Sequence, residues 1–169
     1  MANGKSTVVI ADRLLCDGRD VSDHVKVTLP DITWKKDTLT GAGIGGDIDV
    51  PLVGLAEAMN VQIDLRGISA DNAAILFEPG TKKLEVRFNQ DRMMPDSSLK
   101  RVNTKVFMTA LSAGISNGSV QRGNAAEGNV KLSVHRIRRV EDGNELYLFD
   151  PAKQTLRVNG KDYSNALQI

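Results

Sequence analysis

Cysteine is nearly absent from this chain: Cys16 is the only one in 169 residues, so no internal disulfide can form. A fold stapled by disulfides is excluded, and folding in a reducing compartment is the natural expectation. Aromatic residues are scarce, at 4%, with a single tryptophan, Trp34. Histidine occurs only at His24 and His135, far apart in sequence, and no Cys/His spacing suits zinc. Charge of one sign is missing too. The net charge of +1 gives no general attraction to nucleic acid or to an anionic membrane. No apolar run approaches bilayer length, so no membrane segment is expected, and Val8–Ala11 is too short for a secretory core. What remains is ordinary for a folded globular chain, 41% hydrophobic and 25% charged, and the length suits one domain, residues 1–169.

The period of the apolar residues is mostly two, the signature of half-buried strands. Val25, Val27 and Leu29 alternate with polar neighbours, as do Ile48, Val50 and Leu52. In MNVQIDLRG, Met59, Val61, Ile63 and Leu65 share one face, and Asn60, Gln62, Asp64 and Arg66 share the other. Leu84, Val86 and Phe88 oppose Glu85, Arg87 and Asn89. Val102 to Ala110 and Val130 to Val134 repeat the pattern. In HRIRRV, residues 135–140, the alternation slips, which predicts a bulge or a strand end. Asp17-Gly18, Asn117-Gly118, Asp142-Gly143 and Asn159-Gly160 supply the positive φ angles of tight hairpins, and the last two bracket a terminal meander. Met93-Met94-Pro95 reads as a loop returning to the body. One stretch reads as helix: Ser69 caps SADNAAILFEPG and Pro79-Gly80 end it, leaving about two or three turns. The expected fold is mainly β, an antiparallel sandwich or barrel with one short α-helix.

Gly41, Gly43 and Gly46 have the G-x-G-x-x-G spacing of a dinucleotide loop. That site needs a buried strand before it and a helix N-terminus after it. Here ITWKKDTLT is too polar for the first, and DIDVPLVG alternates like a strand. No paired-acid or triad spacing stands out, and Cys16 lacks a neighbour to activate it. No enzyme activity, cofactor or metal is expected. The basic run HRIRRV lacks interleaved aromatics and reads as a solvated edge or a subunit contact.

The segment VTLPDITWKKDTLTGAGIGGDIDVPLVGLAEAMNVQIDLRG resembles the major tail tube protein of contractile phage tails, including R-type pyocin and related bacteriocin tubes. The residues that carry the likeness are Asp17-Gly18, Thr28-Leu29-Pro30, the glycines from Gly41 to Gly46, and Glu57 with Met59. VEDGNELYLFDPAKQTLRVNGKDY resembles the family's ending through Asp142-Gly143, Asp150, Val158-Asn159-Gly160 and Asp162, and SNGSVQRGNAAEGNVKLSV resembles the strand before it. Two stretches depart from the pattern: FNQDRMMPDSSLKR and the final Asn165 to Ile169.

The resemblance implies a tube-like β-sandwich subunit that forms hexameric rings stacked into a hollow tube inside a contractile sheath. Its implied partners are further copies of itself, the tail sheath protein, baseplate and tail terminator proteins, and the tape-measure protein and DNA passing through the lumen. The implied location is the virion tail, assembled in the host bacterial cytoplasm. The implied inter-ring stacking loop carries Gly41, Gly43, Ile44, Gly45, Gly46, Ile48 and Leu52. The polar strand faces Asn60, Gln62, Asp64, Arg66, Glu85 and Arg87 become candidates for the lumen, which should be neutral or acidic to let DNA slide. The tube of a headless injection device, a bacteriocin or type VI secretion particle, shares this reading. A monomeric ligand-binding β-sandwich is the rival from another class.

Overall fold

A computed structural model describes residues 5–21, 24–43, 45–67 and 69–166. Twelve strands are seen among them. These are β1 (Lys5–Cys16), β2 (Arg19–Asp20), β3 (His24–Thr28), β4 (Trp34–Leu39), β5 (Ile48–Ala56), β6 (Met59–Arg66), β7 (Thr81–Met93), β8 (Leu99–Ser116), β9 (Glu127–Glu141), β10 (Asn144–Asp150), β11 (Thr155–Val158) and β12 (Lys161–Asp162). One helix, α1 (Ala70–Phe77), lies between β6 and β7, and a short 3-10 turn covers Ser164–Ala166. The structure is thus mainly antiparallel β with a single short helix, as the periodicity predicts. No helix among the described residues is long and apolar enough to cross a membrane.

Ten strands form one continuous sheet, ordered β12-β11-β10-β9-β8-β7-β1-β2, with β6 also on β9 and β3 on β6. β4 and β5 stand apart as a two-stranded ribbon. β9 carries two partners along one edge. Its first half pairs with β6 through Met59↔Val134, and its second half pairs with β10 through Phe149↔Ile137. The change falls at a bulge, because Thr109 opposes Arg136 while Ala110 opposes Val134, leaving His135 extra. That is the slip visible in HRIRRV. Beyond it Ile137 resumes the core position, fully buried. A bulge of this kind bends a strand and lets it serve two neighbours.

One core joins the alternating residues. Leu14 and Cys16 of β1, Leu84 and Val86 of β7, and Val61 and Ile63 of β6 meet Leu132, Ile137 and Phe149 in a single cluster. Trp34, at the base of the ribbon, packs edge-on against Phe149 with ring centroids 5.3 Å apart. The ribbon is therefore rooted in the core although its length leaves it. Helix α1 is capped as expected, with Ser69 Oγ accepting from the Asn72 amide at 3.4 Å. At its other end buried Lys82 donates to the Ile75 carbonyl at 2.6 Å, which ties the helix to β7. Burial, with the Asp17 charge adding and Lys82 partly offsetting, pushes the Cys16 thiol up to about 11, so it is an unreactive core filler.

Three of the four turn dipeptides adopt paired positive φ: Asp17 at 50° with Gly18 at 80°, Asp142 at 46° with Gly143 at 81°, and Asn159 at 49° with Gly160 at 79°. The last two bracket the β10–β11–β12 meander that the sequence predicts. Asn117-Gly118 differs. It begins the long connection between β8 and β9, and only Gly118 has positive φ, at 64°. Glycine is needed there because a Cβ would lie 1.8 Å from the Glu127 carbonyl oxygen. The stretch around Met93-Met94-Pro95 also departs from expectation. The chain does turn back here, but at the tip of a long hairpin paired continuously from Thr81↔Leu111 to Met93↔Leu99. Only residues 94–98 turn, closed by the Met94 amide to the Ser98 carbonyl at 2.8 Å.

Candidate assembly surfaces

The ribbon places the glycines. β4 and β5 pair through Leu39↔Ile48, Thr38↔Asp49 and Asp37↔Val50, so residues 40–43 and 45–47 lie at the tip of a hairpin. A strand follows Gly46 where a dinucleotide site requires a helix. The tip stands in open space: a Cβ added at Gly41, Gly43, Gly45 or Gly46 would touch nothing within 4 Å. Of these four, only Gly43 has a positive φ, at 97°. Ile44 lies outside the described residues.

The two faces of the ribbon differ. On one, Lys36 Nζ sits 2.5 Å from Asp49 Oδ2, and Thr38 Oγ1 donates to Asp49 Oδ1 at 3.0 Å. On the other, Leu39 and Ile48 are 50% and 52% exposed. Nearer the base, Lys36 pairs with Pro51 but Trp34 pairs with Ala56, so β5 bulges outward over residues 52–55. Gly54, buried at φ 93°, makes the bend, and Leu52, Val53 and Leu55 are pushed into solvent. Alternation in the sequence places Ile48 and Leu52 on one strand face; Leu39, Val53 and Leu55 join them only through the β4 pairing and the β5 bulge. Burying each such side chain is worth roughly 1.5–3 kcal/mol, so leaving them exposed is unfavourable unless another surface covers them.

The polar pair also sets a pH dependence. Hydrogen bonds from Lys36 and then Thr38 hold the Asp49 carboxyl below its ordinary range, and Asp49 in turn raises Lys36. A depressed carboxyl stabilises the paired form above its unfolded pKa, and the contribution is lost as pH falls through the folded value. A raised lysine contributes below its unfolded pKa and loses that as pH rises through the folded value. The pair therefore holds through neutral pH. Lys36→Met is expected to return Asp49 toward the ordinary aspartate value in an NMR titration. An unchanged Asp49 titration would contradict the contact. Both groups are exposed, so the effect on global stability is small.

The six lumen candidates share one outward face of the sheet. Asn60, Gln62, Asp64 and Arg66 alternate with the buried residues of β6, and Glu85 and Arg87 with those of β7. Gln62 donates to Asp64 at 2.7 Å, and Arg87 pairs with Glu85 at 2.6 Å. Within the six, two carboxylates balance two guanidiniums. Their charged cross-strand neighbours are Arg13, Lys26, Lys105 and Lys131 against Glu127, so this face is more basic than expected for a lumen.

The basic run on β9 is not one patch. Arg136 and Arg138 point outward toward Asp150 and Glu145, at 3.8 and 2.6 Å. Arg139 turns the other way and lies 5.8 Å from the Phe88 ring centroid. No group of three or more His, Cys, Asp or Glu able to hold a metal is found among the described residues.

The profile of the phage tail tube protein FII family matches residues 8–168. The chain belongs to this family. It is 27% identical over 137 residues to the tail tube protein of Escherichia phage P2, covering 80% of this chain and 79% of the relative. Its fold is similar to chains in two solved assemblies. One is the PVC sheath–tube complex of an extracellular contractile injection system in the extended state, with a TM-score of 0.53 and 13% identity, covering 76% of this chain and 87% of the other. The second is the PVC sheath/tube terminator in the extended state, with a TM-score of 0.54 and 14% identity, covering 79% and 96%. The tail tube family is structural.

Proposed function

We propose that this tail tube protein works as one domain that closes into hexameric rings and stacks them into the inner tube of a contractile tail. The tube is a conduit for DNA or tape-measure protein when the sheath contracts, and its ends meet baseplate and terminator proteins. Assembly takes place in the host cytoplasm, and the product resides in the virion tail.

The observation that carries this reading is the ribbon. It leaves a well-packed body, ends in an open glycine tip, and exposes Leu39, Ile48, Leu52, Val53 and Leu55. Fixing each backbone residue costs roughly 1–2 kcal/mol, with glycine at the upper end, so contacts in the next ring must supply the order. The outward face of β6 and the Glu85–Arg87 stretch of β7 form the lumen wall in this reading, with Asn60, Gln62, Asp64, Arg66, Glu85 and Arg87 in contact with passing cargo.

Hydrogen exchange tests the stacking role. Ribbon amides from Leu39 to Leu55 should exchange fast in free subunits and slowly in assembled tubes, while β6 amides stay protected in both. Equal ribbon protection in the two states would remove the stacking role.

A further inference from the structure

Fifteen large hydrophobic residues are exposed among the described residues. Ten of them fall into two patches. One is the ribbon, with Leu39, Ile48, Leu52, Val53 and Leu55. The other lies where β1, β7 and β8 run on past the β9–β10 turn as a three-stranded extension. Asp142 marks that turn by bonding Asn103, and beyond it the extension carries Val8, Val9, Ile10, Met93 and Leu99. Met93 and Leu99 are direct cross-strand partners, and Val8 opposes Asp91 on the same outward side. The outward patch therefore joins Met93 and Leu99 to Val8 one row back, beside the Asp91–Arg101 ion pair, while Val9 opposes Gln90 on the other face. The patch has no role in the sheet's own core.

The two patches lie at separate places in the fold. The ribbon is rooted at Phe149, which is level with Ile137 and Met108. From Met108 to Leu99 along β8 is about 30 Å at the usual strand rise. Both patches are exposed in one chain, so neither covers the other. Contacts between like patches would need two different self-complementary interfaces. A single head-to-tail contact covers both, and such a contact propagates as a stack wherever its rotation does not close into a ring.

The ribbon's negative charge favours the same pairing. Residues 34–56 hold Lys35 and Lys36 against Asp37, Asp47 and Asp49, a net of −1. In the extension, Arg92 is paired with Glu141 and Arg101 with Asp91, and Asp96 sits in the tip turn, leaving Lys100 as a cation with no ion pair among the described residues. Like contacts between ribbons would set Asp37, Asp47 and Asp49 of one copy against those of another; the crossed contact sets them beside Lys100. The extension also offers backbone for pairing. β1 is hydrogen-bonded to β2 only at Leu15 and Cys16, and β9 reaches β8 no further than Thr104. Among the described residues, both outer edges of the extension are therefore strand edges on which an extended segment can add.

We infer that the apolar tip of the β1–β7–β8 extension receives the ribbon of a second copy of this chain, with the β5 bulge of one subunit seated on Val8, Met93 and Leu99 of the next. The inference rests on the stacked-tube reading and names the surface that completes it.

Cysteine cross-linking tests it directly, because Cys16 is fully buried and stays silent. Leu55→Cys and Leu99→Cys subunits, each tagged differently, are mixed, assembled and treated with a short bismaleimide. Covalent dimers joining the two tags are expected in the mixture and absent from either variant alone. Dimers from Leu55→Cys alone or Leu99→Cys alone would overturn the crossed pairing. So would tubes visible in the mixture with no cross-link, an outcome that leaves the tube reading standing. Native protein that forms no tubes at all would instead sink the tube reading, and this pairing with it. As a second measurement, Leu99→Asp should lose polymerisation with its melting temperature unchanged. Val120→Asp, at an 88% exposed site outside both patches, should polymerise normally. Equal loss in both variants would count against the inference.

Discussion

Phe149→Ala is expected to lower the melting temperature by about 10 °C or more, the largest stability effect of any single substitution considered for this chain. Phe149 is fully buried and joins three parts of the fold. It pairs with Ile137 on β9 and Leu156 on β11, and it holds the edge of Trp34 at the ribbon base. Truncating a buried phenylalanine costs about 3–5 kcal/mol through lost burial and the cavity left behind. The aromatic contact adds about 0.5–1.5 kcal/mol. Against a total of about 5–15 kcal/mol, that is a large share. The ribbon loses its anchor at the same time, so assembly should fail even below the melting transition. Thermal unfolding followed by circular dichroism measures the first effect. A shift of only about 2 °C would mean that Phe149 does not hold these elements together.

Leu52→Asp is expected to do the reverse, abolishing assembly while leaving the subunit folded. Leu52 is 37% exposed on the β5 bulge and outside the core cluster, so the isolated chain hardly depends on it. At a stacking contact the change removes roughly 1.5–3 kcal/mol of apolar burial. It also places a carboxylate in a dry interface, beside ribbon aspartates that already carry charge of the same sign. The loss recurs at every subunit, so a tube multiplies it. Sedimentation velocity should show a folded small species at concentrations where the native chain forms large particles. Large particles at native yield would show that Leu52 is not at the contact.

The contrast between these substitutions reflects what alternation can and cannot reveal. In β6 the alternation of Met59, Val61, Ile63 and Leu65 matches burial residue by residue. Ile48, Val50 and Leu52 alternate just as well, yet they belong to an exposed ribbon. Period two reports that one face of a strand is apolar. It does not report whether that face meets its own chain or another. The turn chemistry was legible at Asp17-Gly18, Asp142-Gly143 and Asn159-Gly160, because a two-residue hairpin demands positive φ at both positions. At Asn117-Gly118 the same letters served a close backbone approach instead, which depends on distant Glu127.

Two long strands were under-read for backbone reasons. Between Ser6 and Val8, and again between Val9 and Ala11, β1 slips by one residue, which destroys any regular pattern over Val8-Val9-Ile10. The hairpin tip from Asn89 to Arg101 has no apolar alternation, since hydrogen bonds to β1 and β8 hold it without a core beneath. The patch of Val8, Met93 and Leu99 was invisible for the same reason. Its members come from three strands and meet only once the sheet is built.

Electron microscopy of the purified protein at high concentration, alone and with its neighbouring tail proteins, tests the tube assignment most directly. The expected images show hollow tubes of stacked six-fold rings, with the Asn60–Arg66 and Glu85–Arg87 faces toward the lumen in the reconstruction. Protein that stays strictly monomeric and never enters such particles, even with those neighbours supplied, would contradict it.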